Sequence, residues 1–412
     1  MTRTVDVAIV GAGAAGIAAA RRLAGTGLRV VMIEAADRLG GRAWTRTVEG
    51  HPLDLGCAWL HSGDRNPWTG IATDRGLAVD RTPPPWGEQA GDRNFTPAEQ
   101  AEADDAIAAF QRRLRDLPAD RDAASDALEP GNPWNGLLQA VSGYVNGAAL
   151  ERVSARDHVA YDDADTGVNW RVREGMGATI VDAAAGLDIV TGTRVTAIDL
   201  PAGGVRLETS AGPVEARAAI LTVATDVLAS AALRLPRVLD HKREAAADLP
   251  LGLADKIVFA LDGPAGFEAD TQAVGNPRSA ETGSYHLRPF GRPLIEGFYG
   301  GIAARMLHGL GEAGAIAFAL DELAGLFGTE IRRRLRPILR TDWTAVPFVG
   351  GAYSHALPGR SAARAVLAAP VEGRLFFAGE ACSAVDFTAA HGAHATGTAA
   401  AGAALAALGQ GT

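Results

Sequence analysis

The fold is decided by residues 5–42, which read VDVAIVGAGAAGIAAARRLAGTGLRVVMIEAADRLGGR. Residues 5–10 form an apolar, β-branched run of strand length, and the glycine-rich residues 11–16 lead into helical composition over residues 17–23. A strand, a glycine-rich turn and a helix in this order are typical of a βαβ unit that holds a pyrophosphate at the helix N-terminus. The stretch therefore predicts a Rossmann-type dinucleotide site.

The three glycines of this turn have separate predicted roles. Gly11 permits the tight turn, Gly13 lets the backbone approach a pyrophosphate, and Gly16 lets the helix pack close to the strand. A second predicted strand, residues 28–33, ends at Glu34, where an acidic side chain can accept hydrogen bonds from both ribose hydroxyls. An acid at this position favours FAD or NAD over NADP, and a bare βαβ packing unit is the alternative.

The composition is that of a compact soluble protein. The chain has 412 residues, of which 47% are hydrophobic and 21% charged, so it can bury a large core in two or three domains. The formal net charge is −9 and no block of lysine and arginine stands out, which argues against nucleic-acid partners.

The ends of the chain and its cysteines favour a cytoplasmic location. The fingerprint begins at residue 5, which leaves no room for a cleaved signal peptide, and residues 399–412 are too short and small-residue-rich to span a bilayer. Cys57 and Cys382 lie far apart without metal-ligand spacing, so we expect buried thiols, no disulfide and no metal. We expect no membrane partner and a monomer or homodimer.

Further along the chain, periodicity and turn residues predict more elements. Helices are predicted over residues 97–117, 179–185, 312–327 and from 389 toward 408. Strands are predicted over residues 188–200, 204–208, 218–223, around 295–298, and from 375.

Two early motifs resemble known flavoproteins. Residues 38–42, RLGGR, resemble the RxGGR extension of the large flavoprotein oxidase group, which favours FAD over NAD; a solvated Gly-Gly turn is the alternative. Residues 54–67, DLGCAWLHSGDRNP, closely resemble the second flavin segment of the FAD-dependent amine oxidases, particularly the polyamine oxidase branch. The resemblance implies that His61 faces the amine tunnel, where neutral imidazole could accept a proton; a satisfied structural histidine is the alternative.

Residues 249–259, LPLGLADKIVF, carry a narrower resemblance to the same family. Amine oxidases place a lysine after such a turn, and its ammonium holds a water against flavin N5. The resemblance implies this role for Lys256, which would position water for oxygen reduction or imine hydrolysis. A snorkelling lysine at a strand end is the alternative.

Residues 343–354, WTAVPFVGGAYS, resemble the family's segment beside the flavin. The resemblance implies that Tyr353 forms one wall of an aromatic cage that orients the substrate amine. Ala352 occupies the position that is cysteine in the mitochondrial monoamine oxidases. The resemblance therefore implies noncovalent FAD.

The last motif, LFFAGEA at residues 375–381, precedes a helix that begins with AAHGA. The resemblance implies that Glu380 binds the ribityl chain and that the helix N-terminus points amides at the flavin. Asp386, Phe387 and Ala389 depart from the family pattern, because Tyr-Pro is frequent at the first two positions and Ala389 replaces the second cage wall. We expect a half-open cage bordered by Phe387, with Asp386 either pairing with a cationic substrate group or exposed in a loop.

Together the motifs identify the chain as resembling the flavin-containing amine oxidases over about half its length. The resemblance implies an α/β fold in which a Rossmann-type FAD-binding domain (1–76, 172–248, 350–412) carries an inserted α+β substrate domain (77–171, 249–349). The expected catalytic residues are Lys256 and His61, and the expected substrate-binding residues are Tyr353, Phe387, Asp386 and Trp59. The expected FAD contacts are Gly11, Gly13, Ala15, Gly16, Glu34, Ala35, Gly41, Arg42, Ala58, Trp59, Val195, Trp343, Gly379, Glu380, Ala389 and Ala390.

The implied reaction is oxidation of a primary or secondary amine by hydride transfer to FAD, with reoxidation by O₂ or another acceptor. Two other functions stay open at this stage. One is a flavin desaturase acting on an apolar substrate, against which Lys256 and Tyr353 speak. The other is an FAD-binding module without catalytic activity.

Overall fold

The computed structural model describes residues 2–91, 95–264 and 266–409 of the chain. Its strands are β1 Arg3–Val10, β2 Val30–Ile33, β3 Thr45–Val48, β4 His51–Asp54, β5 Trp59–Leu60, β6 Val79–Asp80, β7 Trp170–Val172, β8 Ile189–Val190, β9 Val195–Asp199, β10 Val205–Thr209, β11 Val214–Leu221, β12 Ala254–Leu261, β13 Thr271–Val274, β14 Ser284–Leu287, β15 Leu294–Gly300, β16 Leu335–Arg340 and β17 Leu375–Phe377. Its helices are α1 Ala14–Leu23, α2 Pro67–Asp74, α3 Pro97–Arg115, α4 Asn135–Asn146, α5 Ala155–Ala164, α6 Met176–Asp182, α7 Thr225–Ala229, α8 Asp240–Ala247, α9 Gly301–Phe327, α10 Ala363–Ala368 and α11 Ala390–Ala407. Across these described ranges we find no helix with the length and apolarity needed to cross a membrane.

The larger sheet has seven strands in the order β8-β2-β1-β11-β10-β9, with β17 also paired to β11. The central pairs β1–β2, β1–β11 and β11–β17 are parallel, whereas β10 is antiparallel to β9 and β11. Apolar residues on both faces of β1 are buried, as expected for a parallel strand covered on each side. The fold is therefore the expected α/β type with a Rossmann-like βαβ unit at its centre.

Helices α1 and α11 approach each other closely on one face of this sheet. The approach depends on small residues, because a Cβ built on Gly397 would lie 2.1 Å from the carbonyl oxygen of Ala15. A Cβ on Gly402, in the same helix, would meet nothing within 4 Å. A glycine is therefore required at position 397, whereas position 402 has room for a side chain.

The second sheet is antiparallel, with the order β13-β14-β15-β12-β16. Side chains on one face, including Phe259, Tyr285 and Ile295, pack into a core with α9. The opposite face carries Lys256 beside its cross-strand partner Phe298. Because side chains alternate along a strand, this second face is free to form the wall of a cavity.

The strands of the two sheets come from different parts of the chain. All strands of the larger sheet fall within residues 1–76, 172–248 and 350–412, and all strands of the second fall within 249–349. A small sheet joins the two regions. In it, β7 pairs with both β5 and β6, and β7 itself includes residues on both sides of the predicted boundary.

Two predicted elements differ in the structure. The single strand expected over residues 188–200 is two strands, β8 and β9, because the chain turns at Gly192 (φ +62°) and its amide donates to Ala36 O. The helix expected over 312–327 is present, but it follows a helical segment from Gly301 that was not expected, and the two are separated by Gly311, whose backbone is not helical (φ +68°, ψ −173°). Glycine permits both backbone conformations.

Candidate active site

A cavity of ≈ 1640 Å³ runs from the β1–α1 turn, past the exposed face of the second sheet, to helices α3 and α4. At one end it is lined by the glycine turn and Glu34, and at the other by Trp86, Tyr144 and Phe298. Lys256 and Tyr353 line it between these ends. The volume is large enough for a dinucleotide cofactor together with a small substrate, which pockets of a few hundred Å³ would not hold.

The glycine turn has the geometry that its sequence predicts. Gly11 has φ +106°, and a Cβ there would lie 2.6 Å from Thr222 Oγ1. A Cβ on Gly16 would lie 2.0 Å from the carbonyl oxygen of Gly11, which explains why Gly16 packs the helix and does not line the cavity. The nearest atom to a Cβ on Gly13 is Gly40 O at 3.7 Å, so this position is open to a ligand.

Glu34 lies where the ribose of a dinucleotide would be expected. Its Oε2 accepts from the Ala12 amide at 2.7 Å and its Oε1 from the Ala36 amide at 2.8 Å. A carboxylate has about four acceptor positions, so both oxygens can still accept hydroxyl donors from the cavity. The open position at Gly13, the N-terminus of α1 and this acid fit a dinucleotide with a diphosphate and a ribose.

A buried ion pair joins the start of the chain to its end. Arg42 Nη1 donates to Glu380 Oε1 at 2.8 Å and to the Ala352 carbonyl at 2.7 Å. Glu380 Oε2 accepts from Ser354 Oγ at 2.7 Å and from the Thr388 amide at 3.0 Å. Burial alone would raise the pKa of the Glu380 carboxyl, but the nearby arginine charges and these hydrogen bonds hold that pKa below its usual value. Glu380 is therefore an anion in the cavity wall.

The ammonium of Lys256 projects from β12 toward the chain segment 54–56. Nζ donates to the carbonyl oxygens of Asp54 at 2.5 Å and Gly56 at 3.1 Å. Lysine has three N–H donors, so the third remains for a ligand in the cavity that Lys256 lines. The lysine is only 9% exposed. Its position favours the predicted site role over a snorkelling surface lysine.

Asp54 connects the same segment to α6. Its carboxylate accepts from the amides of Met176 at 2.8 Å and Gly177 at 3.1 Å, and from Thr45 Oγ1. Burial raises the pKa of this carboxyl, although the Lys256 charge acts against the shift. An acid at a helix N-terminus satisfies amides that have no partner within the helix. The contact fixes the carbonyls that Lys256 binds.

Trp343 connects segment 54–56 to β12 through two hydrogen bonds. Its indole Nε1 donates to the Leu55 carbonyl at 3.1 Å, and its backbone N–H donates to Asp255 Oδ1 at 3.1 Å. Asp255 Oδ2 lies 2.7 Å from His308 Nε2. Asp255, His308 and Asp342 are also close enough together to suit a metal ion, although acidic groups commonly lie this close without one.

Tyr353 lines the same cavity and is held by α4. Its hydroxyl donates to the carbonyl oxygen of Tyr144 at 2.5 Å, so the ring cannot rotate freely. Burial raises the pKa of the Tyr353 phenol, which keeps it neutral. A neutral, fixed phenol ring offers an aromatic face to a cation in the cavity.

His61 also lines the cavity, and its tautomer follows from its partner. Nδ1 lies 2.7 Å from Asn169 Oδ1, while Asn169 Nδ2 donates to the Gly167 carbonyl. The asparagine oxygen can only accept, so Nδ1 carries the proton and Nε2 is left as an acceptor. Burial lowers the pKa of His61 and favours the neutral ring.

The other predicted cofactor contacts also reach the cavity. They are Ala15, Ala35, Gly41, Ala58, Trp59, Val195, Gly379, Ala389 and Ala390. Gly379 has φ +145° and open space where a Cβ would stand. Trp59 is held between the Arg171 guanidinium, 5.0 Å from its ring centroid, and the His286 ring at 6.2 Å.

Two predicted substrate contacts do not lie on the cavity wall. Phe387 is 1% exposed and packs under the Arg364 guanidinium at 3.7 Å and against Tyr161, because it faces the protein core. The Asp386 carboxylate accepts from both terminal nitrogens of Arg65 at 2.6 and 2.8 Å and lies 3.1 Å from His391 Nε2. This acid is neither a free loop residue nor a cavity acid; it is a half-buried ion-pair partner.

Sequence reasoning missed most of the residues at the far end of the cavity. The missed lining residues with larger or polar side chains include Trp86, Tyr144, Ser284, His286, Glu296 and Phe298. The alternation of the second sheet could have indicated four of them, because Ser284 pairs with Phe298 and His286 with Glu296 across β14 and β15. Trp86, in an irregular segment, carried no such signal.

Comparison with known proteins agrees with this geometry. The family model for flavin-containing amine oxidoreductases matches residues 14–405. Polyamine oxidase 4 of Oryza sativa subsp. japonica is 28% identical over 447 aligned positions that cover 96% of this chain and 88% of the relative.

Solved structures give the same fold. Cyclohexylamine oxidase from Brevibacterium oxydans IH-35A superimposes with a TM-score of 0.82 at 21% identity, covering 98% of this chain and 99% of that one. Putrescine oxidase bound to putrescine superimposes with a TM-score of 0.79 at 21% identity, covering 98% and 100%. With the family match spanning both sheets and the cavity between them, the chain belongs to the flavin-containing amine oxidoreductases and is a flavin-dependent amine oxidoreductase.

Proposed function

We propose that this protein binds FAD noncovalently and oxidises a primary or secondary amine to an imine, which water cleaves to a carbonyl compound and ammonia or an amine, respectively. The observation that carries the proposal is the position of Lys256. This lysine lines the same cavity as the dinucleotide-type glycine turn and the Tyr353 ring that is held by α4. Few arrangements other than amine oxidation need an aromatic face and an ammonium donor in the same chamber.

The residues that would hold FAD differ along its length. The α1 N-terminus and Gly13 would suit the diphosphate, and Glu34 would suit the adenosine ribose. Glu380 would lie beside the ribityl chain, but its two oxygens already accept four hydrogen bonds from Arg42, Ser354 and Thr388. The N-terminus of α11, at Ala389, offers amides to an electron-rich ring edge. These contacts are all noncovalent.

Two observations support noncovalent binding. Ala352, at the position of the linking cysteine in the mitochondrial monoamine oxidases, has no nucleophile to offer. Cys57 also lines the cavity, but burial raises the pKa of its thiol to about 12, so it is protonated at neutral pH. A protonated thiol is a poor nucleophile.

When bound, the flavin supplies the acceptor for the hydride that leaves the carbon next to the amine nitrogen. The amine must first lose its proton, because a free alkylamine has a pKa of about 10 and its lone pair drives hydride departure. Neutral His61 can take that proton at Nε2, since Nδ1 is bound by Asn169. The third N–H of Lys256 can hold a water in the cavity for hydrolysis of the imine or for reduction of O₂.

The test is an anaerobic titration of the purified, yellow protein with a panel of amines, followed in the visible spectrum of the flavin. Bleaching by an amine supports the proposal, bleaching only by apolar polyenes supports a desaturase, and no bleaching by either class supports a module without activity. Re-admission of O₂ then separates an oxidase, which recovers its colour and releases peroxide, from a dehydrogenase that needs another acceptor.

A further inference from the structure

Trp86 lies at the boundary between the cavity and solvent. It lines the cavity, yet 45% of it is exposed. Its ring centroid lies 4.7 Å from that of Trp59 in an edge-to-face arrangement and 6.0 Å from that of His61. Trp86 is therefore in contact with both the cavity and solvent.

The segment that carries Trp86 is fixed to the edge of the second sheet. Gln89 uses its side-chain amide as a strand would use its backbone: Oε1 accepts from the Val274 amide at 2.7 Å and Nε2 donates to the Val274 carbonyl at 3.1 Å. The Ala90 amide donates to the Gln272 carbonyl at 2.6 Å. Because β13 is an edge strand, these bonds satisfy backbone groups that would otherwise face solvent.

The aromatic surface supplied by Trp86 compensates for a small residue elsewhere in the wall. Ala389 leaves the cavity without an aromatic ring at that position, and Phe387 is buried in the core. Trp86 and Trp59 bring indole faces to the chamber from a different direction. An indole face attracts a cationic or polarised alkyl group, and the edge-to-face pair restricts the space beside it.

The charges at this mouth suit a cation. Glu88 and Asp104 line the same part of the cavity and are both exposed. Exposed carboxylates at a cavity mouth raise the local concentration of cations, although salt screens the effect.

We infer that Trp86 is the specificity-determining outer wall of the substrate chamber, and that the Gln89–Val274 clamp holds it there. This inference rests on the proposed amine oxidation. Trp86 contacts the end of the amine that is furthest from the reacting carbon, so slim alkylamines gain contact area from the indole and amines with a bulky distal group collide with it. Trp86 does not touch the reacting atoms, and its effect is on binding and on the choice among amines.

The first test compares Trp86→Ala, Trp86→Phe and wild type with a slim primary alkylamine and with an amine that carries a bulky ring at its distal end. We expect Trp86→Ala to raise KM for the slim amine about fivefold with kcat nearly unchanged, as for the loss of one aromatic contact of about 1 kcal/mol. The ratio of kcat/KM for the bulky amine to kcat/KM for the slim amine should rise about tenfold, because removal of the indole leaves space for the bulky distal group. Trp86→Phe should restore most of the wild-type ratio.

A binding measurement makes the test independent of turnover. Titration of the yellow protein with tetramethylammonium and benzyltrimethylammonium, followed by the flavin absorption, reports Kd for cations that cannot be oxidised. Trp86→Ala should lower the Kd for benzyltrimethylammonium relative to the Kd for tetramethylammonium. Gln89→Leu, which removes both clamp bonds, should shift both ratios in the same direction by about twofold. Leu310→Ala, another exposed apolar residue outside the cavity lining, is the control and should change neither.

The outcomes separate this inference from the proposed function. If wild type is reduced by amines but Trp86→Ala leaves the amine ratio and the Kd ratio as they were, the outer wall lies elsewhere and this inference is wrong while amine oxidation stands. If wild type neither binds nor oxidises any amine, both are wrong. A low flavin content in Trp86→Ala would leave the comparison to Gln89→Leu, which must then show the shift, while Trp86→Phe must stay close to the wild-type ratio.

Discussion

The two ends of the cavity are built by different means. The cofactor end consists largely of backbone: the Gly11–Gly13 turn, the open position at Gly379 and the amides that hold Glu34. The substrate end consists of side chains from the second sheet and from irregular segments, such as Phe298, Trp86 and others. A backbone site requires particular residue types at fixed spacing, whereas a side-chain wall can be remodelled without changing the fold.

Relatives with the same fold carry the names of oxidases for different amines. Between the ends lies segment 54–56, whose carbonyls are bound by Lys256 and Trp343 and whose Asp54 holds α6. The cofactor end, built from backbone, and the substrate end, built from side chains, therefore meet at segment 54–56. Five predictions test whether substitutions in different parts of the molecule change stability, flavin content or kinetics as this comparison implies.

The largest effect is expected where helices pack at the cofactor end. Gly397→Ala places a Cβ 2.1 Å from Ala15 O, and overpacking of this kind costs about 1–3 kcal/mol. We expect a loss of that size in the free energy of unfolding in urea, together with a lower flavin content. Gly402→Ala, in the same helix with open space around it, should be neutral or stabilising by up to about 1 kcal/mol. Equal behaviour of the two variants would show that close helix approach does not matter.

The next prediction concerns Lys256 at the junction of the two ends. Lys256→Met should slow turnover or flavin reoxidation by at least about tenfold while FAD stays bound, because a positioned cation is lost. Lys242 is the matched control: it is fully buried and donates to carbonyls at the end of α10, outside the cavity. Lys242→Met should cost stability and leave the rate per bound flavin unchanged. Stopped-flow spectroscopy of the flavin gives both rates, and an unaltered rate in Lys256→Met would remove this side chain from the chemistry.

The third prediction uses pH to test His61. Its pKa is lowered by burial, so the ring is neutral at pH 7 and can take the amine proton. We expect His61→Gln to slow anaerobic flavin reduction about tenfold at pH 7, and much less near pH 10, where about half of an alkylamine is already neutral. A defect of the same size at both pH values would mean that the histidine only shapes the wall.

A smaller effect is expected for His308, which lies behind the cavity. Its hydrogen bond to Asp255 raises the pKa of His308, so the protonated ring stabilises the folded state. The contribution is fully present below the unfolded pKa of about 6.5 and is lost as pH rises through the higher folded pKa. His308→Gln should therefore destabilise the protein by about 1 kcal/mol at pH 5.5 and by less at pH 9. Urea unfolding at the two pH values checks this, and a larger loss at pH 9 would contradict it.

The smallest effect is expected for Asp386. Its carboxylate is taken by Arg65, and burial is outweighed by the hydrogen bonds that hold the pKa of Asp386 well below its usual range. Asp386→Asn should change KM for any cationic amine by less than about twofold, since partly exposed ion pairs act locally. Arg65→Gln is the partner control and should behave alike. A large KM change confined to Asp386→Asn would return this acid to the substrate site.

Residue types at the cofactor end follow from backbone geometry, so the sequence could predict the glycine turn and the position of Glu34, whereas their contacts with a cofactor stay predictions. Gly11, Gly16 and Glu34 lie where a strand, a turn and a helix must place them. The split of residues 188–200 into two strands was missed because a single Gly192 turns the chain without interrupting the apolar pattern.

At the substrate end the limits of sequence reasoning were larger. Phe387 and Asp386 were expected at the cavity, but their side chains turn to the core and to Arg65, and nothing in a local pattern gives side-chain direction in a loop. Trp86 reaches the cavity only because Gln89 binds the edge of β13, a contact 185 residues apart in sequence. Tertiary contacts of this kind are not encoded in periodicity.

The central claim is that distant segments of this chain form one cavity for a noncovalently held FAD. The most direct measurement is the visible spectrum of the purified protein, followed by acid denaturation and analysis of the supernatant. We predict a yellow protein that releases about one FAD per chain into the supernatant, as expected for a dinucleotide held by backbone and charge. A colourless protein that does not take up added FAD, or colour that stays on the precipitated polypeptide, would contradict the account.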